Sequence, residues 1–170
     1  MAHPPALLEL RRTERYLVHD AIATGGMASV HVGVLEGALG FSRVVAVKRL
    51  HPQLAADARF VAMLIDEARL VSRIRHVNVV PTFDILEVDG EVFVIMEYVR
   101  GASLARLVDL TQARGELVPL RLALPILVGT LRGLDAAHEA TDAEGRPLGI
   151  VHRDVSPQNV LVGTGGIARI

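Results

Sequence analysis

Ile150-Val151-His152-Arg153-Asp154-Val155-Ser156-Pro157-Gln158-Asn159-Val160-Leu161-Val162 is the stretch whose reading decides what this chain is. Two short apolar runs bracket a polar loop, and within that loop an acid, Asp154, and an amide, Asn159, can face one pocket. There an aspartate can accept a hydroxyl proton and an asparagine can bind a metal. The same residues also fit a plain Asx-turn loop, because Asp, Ser, Pro and Asn all favour turns.

Working outward, the polar segment 141–149 before this stretch is a loop by composition, and residues 150–170 read as short strands around the polar loop and the Gly-Thr-Gly-Gly turn. Upstream, helical patterns cover Ser103 to Leu110 and about Leu120 to Ala140, with Pro125 expected to kink or delay the second. Further back, Val80 to Val88 and Glu91 to Met96 flank Asp89-Gly90, a dipeptide suited to a tight hairpin. From Asp57 to Arg75 apolar residues recur at helical steps through Phe60, Leu64, Val71 and Ile74. Three apolar runs between Arg15 and Leu50 alternate with glycine-bearing turns and predict three antiparallel strands. The result is a five-stranded sheet with one helix, followed by helices: an α+β chain in two lobes joined near Glu97 to Gly101. Residues 1–14 read as a flexible lead-in, 15–98 as the first lobe and 99–170 as part of a second.

Two further constellations lie in the first lobe. Ile22, Ala23, Thr24, Gly25, Gly26, Met27, Ala28, Ser29 and Val30 form a small-residue turn between strands whose backbone amides could cover a polyphosphate. An ordinary hairpin reads the same way. A Walker loop is excluded by the missing Gly-Lys-Ser/Thr, and a dinucleotide fingerprint by the strand that follows. Lys48 closes the apolar run Val44 to Val47, and Glu67 falls within the apolar stripe of the predicted helix. A carboxylate facing a core needs a cation to offset several kcal/mol of desolvation, and Lys48 is the candidate. Alternatively Glu67 reaches the helix edge and solvent.

Composition narrows the classes of function. The chain has 170 residues, 51% of them hydrophobic, enough for one domain or for a lobe and part of another. Its 18 Lys plus Arg against 19 Asp plus Glu are scattered, which argues against a nucleic-acid partner. Cysteine is absent, excluding disulfides, thiolate metal sites and cysteine nucleophiles, and the cytoplasm is the expected compartment. No stretch approaches the roughly 18 apolar residues that a spanning helix needs, so no membrane contact is expected within the chain.

Taken in order, Gly25-Gly26-Met27 with Val30, Val45-Ala46-Val47-Lys48, the helix glutamate Glu67, His76 with Asn78-Val79-Val80, Met96-Glu97-Tyr98-Val99, and His152-Arg153-Asp154 with Pro157 and Asn159 resemble the protein kinase family, specifically the bacterial Ser/Thr kinases of eukaryotic-like type. The resemblance runs from about Tyr16 to Ile170 and implies a kinase-like two-lobe fold. It implies that Ile22 to Val30 is the glycine-rich loop over the ATP phosphates, that Lys48 holds the α- and β-phosphates, and that Glu67 is its ion-pair partner. Met96 matches the gatekeeper, the Glu97 carbonyl and Val99 amide would meet the adenine edge, and Val30, Ala46 and Leu161 would enclose the ring. Asp154 matches the catalytic aspartate, Asn159 a magnesium ligand, and His152 a packing residue. ATP, Mg²⁺ and a protein substrate are the implied partners.

The sequence departs from the family pattern at several points. Ala23 and Ala28 replace the first and third glycines of the loop, which is expected to restrict positive backbone angles and weaken nucleotide binding. Ser156 stands where Ser/Thr kinases place a lysine, removing a charge near the transferring group, and Val77 replaces the proline of the His-Pro-Asn turn. The sequence reaches Ile170 without the Asp-Phe-Gly segment, so the reading is of a kinase catalytic fragment with apolar helix faces exposed around Leu120 to Leu134. The alternative is a nucleotide- or partner-binding pseudokinase fragment with little turnover.

Overall fold

The structure is a computed structural model that describes residues 6–11 and 14–170, with side chains from Tyr16 onward except that of Glu67. The chain folds into two compact units, one comprising residues up to Ser72 together with Thr82–Tyr98, the other Arg73–Pro81 with Val99–Ile170. The short segment Arg73–Pro81, which the sequence assigns to the first lobe, is therefore built into the second.

The first unit is a six-stranded antiparallel sheet in the order β1-β2-β3-β4-β6-β5, made by β1 (Ala6–Arg11), β2 (Glu14–Thr24), β3 (Ala28–Glu36), β4 (Ser42–Leu50), β5 (Thr82–Val88) and β6 (Glu91–Glu97). Strands β2 to β6 are the five that the apolar runs predict. Strand β1 is an addition: the stretch 6–11, expected to be a loose lead-in, pairs with β2 and also approaches β5, curling the sheet on itself. Pairing with a neighbouring edge satisfies backbone groups that a free lead-in would leave to water.

Strand alternation gives the sheet two dissimilar faces. One carries Tyr16, Val18, Val45, Val47, Leu86, Phe93 and Ile95, which form a single buried cluster. Val45, Val47 and Ile95 are wholly buried, and each such aliphatic side chain stabilises the fold by about 1.5–3 kcal/mol. The other face carries Ala28, Leu50 and Val92, against which Phe60, Val61 and Leu64 pack. Those three lie on α2 (Ala58–Val71), which follows the short helix α1 (Pro52–Ala55). Asp57 starts α2 by accepting from the amides of Arg59 (2.9 Å) and Phe60 (3.2 Å), a cap worth about 1 kcal/mol. The β5–β6 hairpin turns on Asp89 (φ 52°) and Gly90 (φ 76°), the paired positive angles that the Asp-Gly dipeptide predicts.

The second unit holds β7 (Gly101–Ser103), α3 (Leu104–Gln112), α4 (Leu120–His138), β8 (Leu161–Gly163) and β9 (Ala168–Arg169), with the strands ordered β7-β8-β9. Ser103 caps α3 through its Oγ, which accepts from the Arg106 amide at 3.2 Å. Helix α4 runs unbroken through Pro125. The expected delay does not occur: Pro125, the sixth residue of the helix, forgoes one intrahelical bond, and the helix continues on both sides of it. The strands predicted around residues 150–160 are also absent: that stretch is loop, and pairing begins at Leu161.

Small residues decide how α4 packs. Gly129 and Gly133 lie one turn apart on its buried side, and a Cβ at Gly133 would fall 2.4 Å from the Asn78 carbonyl oxygen. Asn78 is buried and donates through Nδ2 to the Ala168 carbonyl at 2.7 Å, while its own carbonyl accepts from the Ile170 amide at 2.9 Å. One asparagine thereby joins the 73–81 segment, α4 and β9. The opposite side of α4 exposes Leu120, Leu124, Leu127, Val128 and Leu131.

Candidate active site

In the first unit, the sheet register collects one set of the expected residues on one surface. Val30 pairs with Lys48, Lys48 with Val94, and Ala46 with Val32 and Met96. Directly opposed residues of an antiparallel sheet share a face, so Val30, Ala46, Lys48 and Met96 lie together. Leu50, two residues beyond Lys48, is on the same face and belongs to the cluster that receives α2. Lys48 is half-buried there. Glu67 occupies the turn of α2 after Leu64. Its side chain, and with it the expected Lys48–Glu67 ion pair, lies outside the described residues.

Of the stretch from Ile22 to Val30, the first three residues end β2 and Ala28 opens β3, so the turn is Gly25–Met27, with the Gly25 amide donating to the Ala28 carbonyl at 2.9 Å. Its residues up to Met27 are exposed, and a Cβ built on Gly26 would meet nothing within 4 Å. Neither alanine behaves as the sequence suggests. No residue from Ala23 to Ala28 has a positive φ, so a methyl group imposes no backbone penalty at either position. Ala28 is moreover buried, its methyl packed in the cluster of Leu50 and Val92.

In the second unit, His152 to Asn159 is shaped by its own hydrogen bonds. The Asp154 amide donates to the His152 carbonyl at 2.8 Å across Arg153, whose φ is 61°. This is a three-residue γ-turn with its centre in the left-handed region, a conformation that costs a non-glycine residue about 1 kcal/mol or more. The turn presents the Asp154 carboxylate to solvent. His152, expected only to pack, is half-buried with Nδ1 3.4 Å from the Asp154 amide.

Asn159 completes the loop by donating through Nδ2 to Asp154 twice, at 2.8 Å to Oδ2 and 3.0 Å to the carbonyl oxygen. Both partners only accept, so the group facing Asp154 is the NH₂ and the amide oxygen is left to face elsewhere. The Asn159 amide donates to the Ser156 carbonyl at 3.0 Å, and Ser156 is half-buried. Two bonds dock the loop on α3: Ala105 N–H to the Pro157 carbonyl (2.9 Å) and Leu104 N–H to the Val160 carbonyl (2.8 Å). Val160 is buried with Ile126 and Ala168, so by strand alternation Leu161 points to the other side of the small sheet.

The residues present suit the groups that the resemblance implies. Among the described residues no cluster of three or more His, Cys, Asp or Glu could hold a metal alone. Magnesium usually takes one or two protein ligands and completes its shell with phosphate oxygens and water. A free asparagine oxygen beside a carboxylate fits that donor set. The open space over Gly26 likewise leaves room for a phosphate to approach backbone.

The sheet register, the Arg153 turn and the Asn159–Asp154 bonds separate in what sequence can reveal. The roles of Asn78 and of the Arg153 backbone were missed, although the His76-Val77-Asn78 spacing is a visible signal for the first. Nothing about an arginine announces a positive φ. Glu97 ends β6 and Val99 opens the second unit, each described within its own unit.

Comparison with known proteins agrees with this arrangement. The protein kinase domain profile matches residues 16–170. Tyrosine-protein kinase MasK of Myxococcus xanthus is 38% identical over 147 residues, spanning 86% of this chain and 23% of that protein. Serine/threonine-protein kinase PksC of Streptomyces coelicolor is 34% identical over 92% of this chain and 27% of its own length. PknL of Mycobacterium tuberculosis is 33% identical over 92% of this chain and 35% of its own. The chain thus spans between about a quarter and a third of these relatives. Among solved structures, the kinase domain of Mycobacterium tuberculosis PknI superposes with a TM-score of 0.70 at 27% identity, covering 91% of this chain and 56% of that one. The chain belongs to the protein kinase family, in its bacterial eukaryotic-like branch.

Proposed function

We propose that this chain is the nucleotide-binding and catalytic-loop portion of an ATP-dependent protein kinase that transfers the γ-phosphoryl group to a serine or threonine hydroxyl. The observation that carries the proposal is the pairing of Asn159 Nδ2 with Asp154 Oδ2 at 2.8 Å. It fixes the carboxylate, leaves its second oxygen for a substrate hydroxyl, and turns the asparagine oxygen outward.

Each residue then has a defined task. Asp154 orients the incoming hydroxyl and accepts its proton as the oxygen bonds to the γ-phosphorus and the bond to the β–γ bridging oxygen breaks, releasing ADP. Lys48 neutralises phosphate charge, Gly25 and Gly26 admit phosphate close to backbone amides, and Val30, Ala46, Met96 and Leu161 offer apolar surface to adenine. The Glu97 carbonyl and Val99 amide supply its hydrogen bonds, and Glu67 orients Lys48. Kinases of this family use Mg²⁺ with ATP, which neutralises the charge that develops on the phosphates; Asn159 would be one of its ligands.

A hydroxyl-bearing protein is the second substrate. Two of the relatives above are named as serine/threonine kinases and one as a tyrosine kinase. Ser156, in place of a lysine near the transferring group, makes the acceptor class worth measuring. No helix among the described residues is long and apolar enough to cross a membrane. The dependence on ATP and the lack of cysteine support a cytoplasmic placement of this portion.

The test is incubation of the full-length protein with ATP labelled at the γ-phosphate and a generic protein acceptor, followed by acid hydrolysis. Label in phosphoserine or phosphothreonine supports the proposal. Label only in phosphotyrosine overturns the acceptor class, and no label with a competent acceptor overturns the activity.

A further inference from the structure

The turn Gly25–Met27, between the paired ends of β2 and β3, has little of its own to hold it. Its residues are exposed, a Cβ built on Gly26 would meet nothing within 4 Å, and the bond from the Gly25 amide to the Ala28 carbonyl closes it. His51, immediately after β4, supplies two more. Its backbone amide donates to the Met27 carbonyl at 3.0 Å, extending the β3–β4 ladder by one rung. Its ring Nε2 lies 2.8 Å from the Gly25 carbonyl oxygen. A carbonyl only accepts, so Nε2 carries the hydrogen, in the neutral ring or the cation alike.

His51 is itself firmly placed. It follows Leu50, which is 2% exposed in the cluster with Ala28 and Val92. It caps α1, where its carbonyl accepts from the amides of Leu54 (2.9 Å) and Ala55 (3.1 Å), and Pro52 at the first helical position fixes the chain direction. Rigidity therefore passes from the core through Leu50 and His51 to the tip of the turn.

We propose that His51 is a positioning residue for the phosphate-covering turn, tying Gly25 and Met27 to the end of β4 and so setting how well the turn holds ATP. A trans peptide places its C=O and N–H on opposite sides, so pinning the Gly25 and Met27 carbonyls turns the Gly26 and Ala28 N–H groups away from His51. Backbone N–H groups left unengaged by His51 in this way are the donors that a phosphate oxygen requires. The role rests on the reading of Ile22–Ala28 as a nucleotide loop, whereas the tether itself does not.

The experiment compares full-length wild type with His51→Ala and His51→Gln, the latter retaining a side-chain N–H donor. Amide hydrogen exchange is measured without nucleotide, alongside KM for ATP and kcat. His51→Ala should speed exchange across Gly25 to Ala28 while Val45 to Val47 and Phe93 to Ile95 stay protected. KM for ATP should rise about 2- to 12-fold, the worth of one hydrogen bond, with kcat little altered, and His51→Gln should recover most of both effects. Unchanged exchange in the turn would overturn the proposal, as would a KM rise accompanied by faster exchange throughout the sheet. Faster exchange in the turn of a protein that binds no ATP would overturn the nucleotide reading, and this role with it, while the tether stood.

Discussion

Asn159 Nδ2 sits 2.8 Å from Asp154 Oδ2 and 3.0 Å from the Asp154 carbonyl oxygen, so one side-chain amide holds both the carboxylate and the backbone of the residue assigned to proton transfer. The chain between them is additionally closed by the Asn159 amide on the Ser156 carbonyl at 3.0 Å. This arrangement makes Asn159 both a brace for Asp154 and a source of one free acceptor oxygen.

Replacing Asn159 by Ala should therefore harm the reaction in two separable ways. Phosphoryl transfer should fall by at least about 10-fold, and the magnesium concentration for half-maximal rate should rise, because a ligand and its brace are lost together. A magnesium titration of the variant at saturating ATP checks this. A fall in rate with an unchanged magnesium requirement would remove the ligand role.

Returning the family glycines should not improve the enzyme. Ala23 and Ala28 sit outside the positive-φ region, and the Ala28 methyl is buried with Leu50 and Val92. Ala28→Gly should leave ATP affinity no better and lower stability by about 1 kcal/mol through the lost methyl and the added chain entropy. Calorimetric ATP titration with chemical denaturation reads both quantities.

Asn78→Ala removes the buried donor to the Ala168 carbonyl, a bond of 2.7 Å. The expected cost is about 1–3 kcal/mol, since a buried carbonyl loses its side-chain partner. Denaturant unfolding followed by circular dichroism measures it. Asn78→Asp should fare no better, because a carboxylate cannot donate to the carbonyl.

Gly133→Ala should destabilise α4 for a steric reason. The new Cβ would meet the Asn78 carbonyl oxygen at 2.4 Å and Ile170 Cγ2 at 2.9 Å. Helix propensity favours alanine by about 1 kcal/mol, yet overpacking against backbone costs about 1–3 kcal/mol and should win. A lower melting temperature is the expected outcome, and a higher one would show that the helix can shift without cost.

The strands of the first unit were legible because unbroken apolar runs bounded by turn residues mark them, as at Val44 to Val47, whereas which of their residues share the buried face with Tyr16, as Val45, Val47, Phe93 and Ile95 do, depends on a register that such runs do not encode. The hairpin at Asp89-Gly90 was legible for a different local reason, the positive backbone angles that the dipeptide accepts. Strand β1 was not, since residues 6–11 gain their structure from pairing with β2 rather than from a pattern of their own. The extent of α4 was legible, expected over about Leu120 to Ala140 and found at Leu120–His138, whereas the delay expected at Pro125 failed because one lost intrahelical bond does not outweigh the rest of the helix. In the site, residue types named Asp154, Asn159 and Lys48, while the bonds between Asn159 and Asp154 and the left-handed Arg153 depend on a backbone path that residue types do not encode. The penalty expected at Ala23 and Ala28 failed because it presumed backbone angles that this turn does not use.

The central claim is that Asp154 carries the chemistry, and it is tested most directly by Asp154→Asn in the full-length protein, measured for both ATP binding and γ-phosphoryl transfer. The substitution keeps size and shape but removes the proton acceptor, a group worth about 10²–10⁴ in rate. The account predicts transfer reduced by at least about 10²-fold with ATP affinity retained. Transfer at the wild-type rate would contradict it.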